Sequence, residues 1–138
     1  CTTYGALYQW DEAMQYTNTE GAQGICPTGS HIPSDNEIKI LEIQLGMTQA
    51  QANLSSTWRG TDQGTKLKLN GTSGLNVPLS GSRYDNGTFV DLSSGAYLWS
   101  SSESSSSVWI RLLSASQSNV YRSAYSKMNV FSVRCLGD

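Results

Sequence analysis

The stretch Val108-Trp109-Ile110-Arg111-Leu112-Leu113-Ser114, followed four residues later by Asn119-Val120-Tyr121-Arg122-Ser123, decides the fold. Both segments read as β-strands, in which successive side chains point to opposite faces. In the first strand Val108, Ile110, Leu112 and Ser114 share one face, and Trp109, Arg111 and Leu113 share the other. The second strand divides into Asn119, Tyr121 and Ser123 against Val120 and Arg122. Composition alone does not say which face is buried. With Trp109, Leu113 and Val120 turned to the core, the outer face carries Ile110, Leu112, Ser114, Tyr121 and Ser123, extended by Ala124, Tyr125 and Ser126. Tyr offers a large rigid contact area at low entropic cost and Ser an adaptable hydrogen bond, which is the chemistry of a paratope. The plainer reading is a half-buried sheet whose Tyr hydroxyls reach water.

Working outward, other short apolar runs lie at Ala96–Ser100 and Phe131–Cys135. Asn70-Gly71 and Asn86-Gly87 mark tight turns. From Gly60 onward helical periodicity vanishes, and Gly, Asn, Thr and Ser recur every few residues. The N-terminal part differs. Leu7 to Tyr16 predicts a short helix with Trp10 and Met14 four apart, and Thr17 to Gly24 a loop. Ser34-Asp35-Asn36-Glu37 after Pro33 is a capping box. Ile38, Leu41 and Leu45 follow at helical spacing, and Gly46 ends the helix. Thr48-Gln49-Ala50-Gln51 opens a third short helix that stops before Trp58. Helices first and short antiparallel strands after them predict an α+β domain.

The chain has 138 residues, enough for one domain with a core of its own. Only 14% of residues are charged, but four Trp and seven Tyr argue against disorder. A net charge of −2 supplies no basic patch for a phosphate backbone, which argues against nucleic acid as a partner. No apolar run reaches the length of a membrane span. Three cysteines, Cys1, Cys26 and Cys135, suggest one bridge and one leftover. The expected pair is Cys26 with Cys135. Cys1 is then expected to have a partner upstream, with lipidation of an N-terminal Cys as the lesser alternative.

Five stretches carry a resemblance. They are Tyr4-Gly5-Ala6-Leu7-Tyr8-Gln9-Trp10, the run from Gly24 to Asp35, Gly64-Thr65-Lys66-Leu67-Lys68, Trp99-Ser100-Ser101-Ser102-Glu103, and Phe131-Ser132-Val133-Arg134-Cys135. In this order they resemble the Fibrobacter succinogenes major paralogous domain, almost end to end. That resemblance implies a secreted or surface-attached bacterial protein with a C-type-lectin-like fold, similar also to the formylglycine-generating enzyme fold. Some members look like the variable proteins of diversity-generating retroelements, in which substitution at template adenines scatters Asn codons into many residue types. The positions of that pattern here are Ile110, Leu112, Ser114, Ser116, Gln117, Tyr121, Ser123, Ala124, Tyr125 and Ser126; the Ser104–Ser107 run reads either as a flexible loop tip or as part of the same patch, and Ser104 and Ser105 are added to the patch on the second reading. Trp109, Arg111, Leu113, Val120, Arg122 and Lys127 keep the family type. Two departures stand out. Ser30 replaces the usual Trp, and Val130 replaces a Gly before Phe131, where a β-branched residue would resist positive φ.

Other chemistries find less support. His31 is the only histidine, and beside a Cys-Pro turn it reads as structural rather than catalytic or metal-binding. Cys26 is better used in a disulfide than as a nucleophile, and the active-site cysteines of the formylglycine-forming relatives have no counterpart. No Cys-x-x-Cys spacing offers a zinc site. The Glu-Pro-Asn, Gln-Pro-Asp and Trp-Asn-Asp signatures of calcium-dependent sugar binding are missing, and Asp85, Asp91 and Glu103 read as isolated turn-capping carboxylates. The acceptor patterns at Asn53, Asn70 and Asn86 are read more simply as turns than as glycosylation sites.

The expectation is therefore a single C-type-lectin-like domain over residues 1–138 whose segment 104–130 forms a variable binding surface. It is expected to have no catalytic residues, cofactor or metal. Its partner would be an unknown protein or cell-surface ligand, bound as a monomeric domain of a larger or anchored extracellular protein. A fixed structural or adhesive module of a surface protein is the alternative.

Overall fold

A computed structural model describes residues 2–138, so Cys1 and its expected upstream partner lie outside the described residues. The chain is α+β and mostly sheet. Strand β1 (Tyr8–Gln9) leads directly into helix α1 (Trp10–Ala13). The helix expected over Leu7 to Tyr16 is thus cut at both ends. Tyr8 and Gln9 are taken into the sheet opposite Phe131 and Val130, and Gln15 and Tyr16 turn to positive φ. Trp10 and Met14 are nonetheless buried together, as their spacing implied.

Strand β2 (Ser30–His31) precedes helix α2 (Asp35–Gln44). The capping box of α2 is complete. Ser34 Oγ accepts from the Glu37 backbone N–H at 3.2 Å, and the Glu37 carboxylate accepts from the Ser34 backbone N–H at 2.8 Å. Gly46 follows at φ +108°. Helix α3 (Gln49–Asn53) repeats the device with Thr48 and Gln51. Strand β3 (Thr57–Arg59) comes next, then helix α4 (Gln63–Leu67). Helix α4 departs from the expectation that helix ends at Gly60. Five residues show no periodicity in sequence, and α4 is held by contact instead: a Cβ on Gly64 would lie 2.2 Å from the Asn119 carbonyl oxygen, so only glycine lets the helix approach.

Strands β4 (Ser80–Arg83) and β5 (Phe89–Leu92) form a hairpin over the Asn86-Gly87 turn. Strands β6 (Gly95–Ser104), β7 (Ser107–Ser114) and β8 (Val120–Ser126) form the central meander, and β9 (Val130–Phe131) and β10 (Leu136–Gly137) close the chain. The main sheet runs β1-β9-β4-β6-β7-β8-β3 with β5 beside β4; β10 pairs separately with β2. All pairs are antiparallel except β4 with β6, which run parallel at Gly81 and Ala96, a correction to the antiparallel expectation. Val130 adopts ordinary strand geometry, so nothing at this position demands glycine.

Both faces of the meander are covered in part. One buries Trp99, Val108, Ile110 and Tyr97 against Trp10, Met14, Ile32 and Phe131. The other buries Ala96, Leu98, Leu113 and Val120 against Leu67 and Val77, with Leu41 and Leu45 of α2 beside them. A disulfide joins Cys26 to Cys135, 109 positions apart. Closing so long a loop restricts the unfolded chain and stabilises the fold by about 4–5 kcal/mol in the chain-entropy view.

Candidate functional site

The alternation in β7 and β8 sorts their side chains onto two surfaces of opposite character. Arg111 of β7 lies across from Arg122 of β8. Both are buried and face α2, where Asp35 and Glu42 are also buried. Glu42 accepts from Arg111 Nε at 2.7 Å and from Arg59 Nη2 at 2.7 Å. Asp35 accepts from Arg111 Nη1 at 2.8 Å and from Arg122 Nε and Nη2 at 2.9 and 2.7 Å. Burial alone would raise the Asp35 carboxyl, but the two guanidiniums hold it well below its ordinary range. The Arg122 guanidinium also stacks 3.7 Å from the Trp109 ring centre. This face is a sealed polar lock between the sheet and α2, with no carboxylate left for a ligand.

The opposite surface carries the expected binding residues, and it is not uniform. Pairing across β6, β7, β8 and β3 sets Tyr97, Leu112, Tyr121 and Trp58 in one transverse row. Leu112, Tyr121 and Trp58 are half-buried, with the Trp58 and Tyr121 ring centres 5.5 Å apart. Ser114 lies beyond Leu112, and Ser116 and Gln117 stand exposed on the β7–β8 turn. Lys68 Nζ pins that turn by donating to the Ser114 and Gln117 carbonyls at 2.8 and 2.9 Å. One row along the strands, Trp99, Ile110 and Ser123 pair. Ile110 is fully buried. It belongs to the core, not to a ligand surface, because α1 and Phe131 cover this half of the face.

Further along, Val108 pairs with Tyr125. Tyr125 is half-buried and its ring contacts Tyr97 and Phe131 edge-on, at 6.3 and 5.8 Å between centres. It is as much scaffold as surface. Ala124 pairs with Trp109 and therefore lies on the arginine side, as does Ser126, two residues on, which pairs with Ser107 at the far end. Neither joins the row of Leu112 and Tyr121. Ser104 and Ser105 form the β6–β7 hairpin tip, beside Ser126 and away from that row. The structure thus brings together Leu112, Ser114, Ser116, Gln117, Tyr121 and Ser123. It separates Ser104, Ser105, Ala124 and Ser126 from them.

Sequence reading missed two members of the open surface, Trp58 and Asp91, and the buried Tyr97 that lies in line with them. Trp58 and Tyr97 enter by pairing between strands distant in sequence, which no local pattern encodes. Asp91 is exposed and accepts a 2.8 Å hydrogen bond from the Tyr97 hydroxyl. Burial and this carboxylate both push the Tyr97 phenol up, so it remains a protonated donor. By contrast, Glu103 bonds to Lys127. The serines of the Trp99–Glu103 motif are internal ties: Ser100 donates to the Trp109 carbonyl at 2.7 Å, and Ser102 to Glu20 at 2.6 Å while accepting from the Asp35 backbone N–H.

His31 is bracketed by Asp138, 2.6 Å from Nδ1, and Glu37, 3.1 Å from Nε2. The hydrogen bond to Asp138, aided by Glu37, raises its pKa. Among the described residues no group of three His, Cys, Asp or Glu side chains could hold a metal ion, and no helix is long and apolar enough to cross a membrane. No curated protein and no solved structure matches the chain. The family model of the Fibrobacter succinogenes major domain matches residues 1–136, and the chain belongs to that family.

Proposed function

We propose that the chain is an extracellular recognition domain of C-type-lectin-like architecture. The pairing of the two ends of the chain through β1 and β9 supports that architecture, and the bridge between Cys26 and Cys135 fits an oxidising compartment. Its ligand surface is the open part of the aromatic face: Leu112 and Tyr121 as anchors, with Ser114, Ser116, Gln117 and Ser123 as adaptable polar contacts. The observation that carries the reading is the contrast within one strand pair. Arg111, Leu113, Val120 and Arg122 are locked into the fold, whereas Leu112, Ser114 and Tyr121 alternate with them and remain accessible. Large half-exposed aromatics on a rigid sheet give contact area without ordering cost.

The same alternation suits a surface diversified by a retroelement, because outward positions can change without touching the lock beneath. Sequencing the 3′ end of the gene and its flanking DNA across the source population tests this. Substitutions concentrated at codons 112, 114, 116, 117, 121 and 123, beside an adenine-rich near-copy and a reverse transcriptase gene, are expected. A uniform gene with no near-copy would leave a domain of fixed specificity.

A further inference from the structure

Helix α2 buries its charges and leaves its aliphatic side chains incompletely covered. Asp35 and Glu42 are its buried residues, whereas Ile38 and Leu41 are half-buried and Ile40 is 48% exposed. These three line a groove of about 250 Å³ beside the arginine lock. The sheet contributes Leu98 and Leu113, and the C-terminal segment contributes Leu136, itself 40% exposed. Aliphatic groups gathered round a concavity, with few polar groups among them, are what a small-ligand site requires. The walls are ordered beforehand. The capping box holds the start of α2, and the bridge from Cys135 to Cys26 and the pairing of Leu136 with His31 hold the C-terminal segment. Walls already in place lose little freedom on binding.

The charged groups at the groove divide into committed and free. Glu37 accepts from the Ser34 backbone N–H and lies 3.1 Å from His31. Arg111 is taken by Asp35 and Glu42. Arg134 is different. Of the nine basic side chains of the chain, it alone makes no hydrogen bond, ion pair or ring contact among the described residues. It is exposed, and it borders the groove. An anion without a tail would leave the aliphatic walls uncovered, and a neutral tail would leave Arg134 without a partner. The groove is also smaller than the roughly 300–1,000 Å³ of sites for drug-sized ligands, so the tail it takes is short.

We propose that this groove binds a small carboxylate with an aliphatic tail, the tail against Ile38, Ile40, Leu41 and Leu98 and the carboxylate on the Arg134 guanidinium, whose planar fork suits it. Leu113 and Leu112 alternate in β7, so the groove lies on the opposite face of the sheet from Leu112 and Tyr121. It is independent of the recognition surface.

The test is isothermal titration of the domain with octanoate, octanol and acetate, repeated on Arg134→Gln and Ile40→Glu. Both positions are exposed, so both variants should keep the melting temperature. Octanoate is expected to bind at one site and to weaken roughly tenfold or more on Arg134→Gln, and likewise on Ile40→Glu, which sets a like charge at the rim. Octanol should bind more weakly than octanoate and be indifferent to Arg134→Gln, and acetate should not bind. Should a variant melt early, methyl chemical shifts of the unsubstituted protein decide: octanoate must move those of Ile38 and Leu98 and acetate must not. Octanoate binding unchanged by Arg134→Gln, equal binding of octanol, or no binding would overturn the proposal. A dimer in sedimentation that Ile40→Glu dissociates would overturn it too, because a second copy would then fill the groove.

Discussion

Arg111 and Leu112 are adjacent in β7, yet they belong to different problems. Arg111 is buried under α2 with two carboxylates on its guanidinium, and Leu112 lies half-open between two tyrosines. The difference follows from what covers each face. Helix α2 extends along the arginine face and seals it. On the other face α1 is only four residues long, and the core it forms with Phe131 buries Val108 and Ile110 completely but Leu112 only in part. A polar lock under a helix and an aromatic surface left open by a short one give a sheet that is rigid from behind and available in front. Mutations should therefore separate stability from recognition according to face.

The largest effect is expected on the sealed side. Glu42→Ala leaves Arg59 and Arg111 buried without their shared partner and should cost about 3–5 kcal/mol, read as a shift in the denaturant midpoint. A loss below 1 kcal/mol would show that the lock is not what fastens α2 to the sheet. Tyr125→Ala tests the border of the open region. Because its ring contacts Tyr97 and Phe131, the loss should be intermediate, about 1–2 kcal/mol. Tyr121→Ala should cost less than about 1 kcal/mol while removing ligand binding. A large destabilisation there would place Tyr121 in the core and erase the contrast between the faces.

The pH dependence sharpens the same comparison. The Asp35 carboxyl is depressed in the fold, so its contribution is complete above its ordinary value of 3.8 and is lost as pH falls toward the folded value. Stability measured from pH 6 down to 3 should fall, and Asp35→Asn should flatten that slope. His31 behaves in the opposite sense. Its raised pKa means that the clamp on Asp138 and Glu37 is fully present below 6.5 and weakens as pH rises through the folded value. Because the ring lies near solvent, the change between pH 6 and 8 should be the smallest of these effects, abolished by His31→Gln.

Much of this arrangement was legible in the sequence, for identifiable reasons. The capping boxes at Ser34 and Thr48 are local, so their residues specify them outright. The two-residue period of Val108 to Ser114 sorts the strand into two faces, and the expected bridge between Cys26 and Cys135 is present. The extent of cover was not legible. Ile110 falls on the face with Leu112, yet its burial depends on Trp10, Met14 and Phe131, which arrive from both ends of the chain. Ala124 and Ser126 alternate out of the face although they stand beside Tyr125 in sequence. Trp58 and Asp91 join the open surface, and Tyr97 is buried in line with them, only through pairing of distant strands, as between Trp58 and Tyr121. Helix α4 escaped because five residues are too few to show a period, and its contacts, from Leu67 in the core to the Thr65 N–H on the Ser118 carbonyl, are with residues distant in sequence.

The most direct test of the division between faces needs no ligand. Saturation mutagenesis of residues 107–126, with cell-surface display and sorting for protease-resistant folded protein, reads the tolerance of each position. Positions 111, 113, 120 and 122 should accept almost no substitution and 110 only apolar ones, whereas 112, 114, 116, 117, 121 and 123 should accept polar, charged and aromatic residues alike. Intolerance at 112 and 121 equal to that at 111 and 113 would contradict the account, because both faces would then be structural.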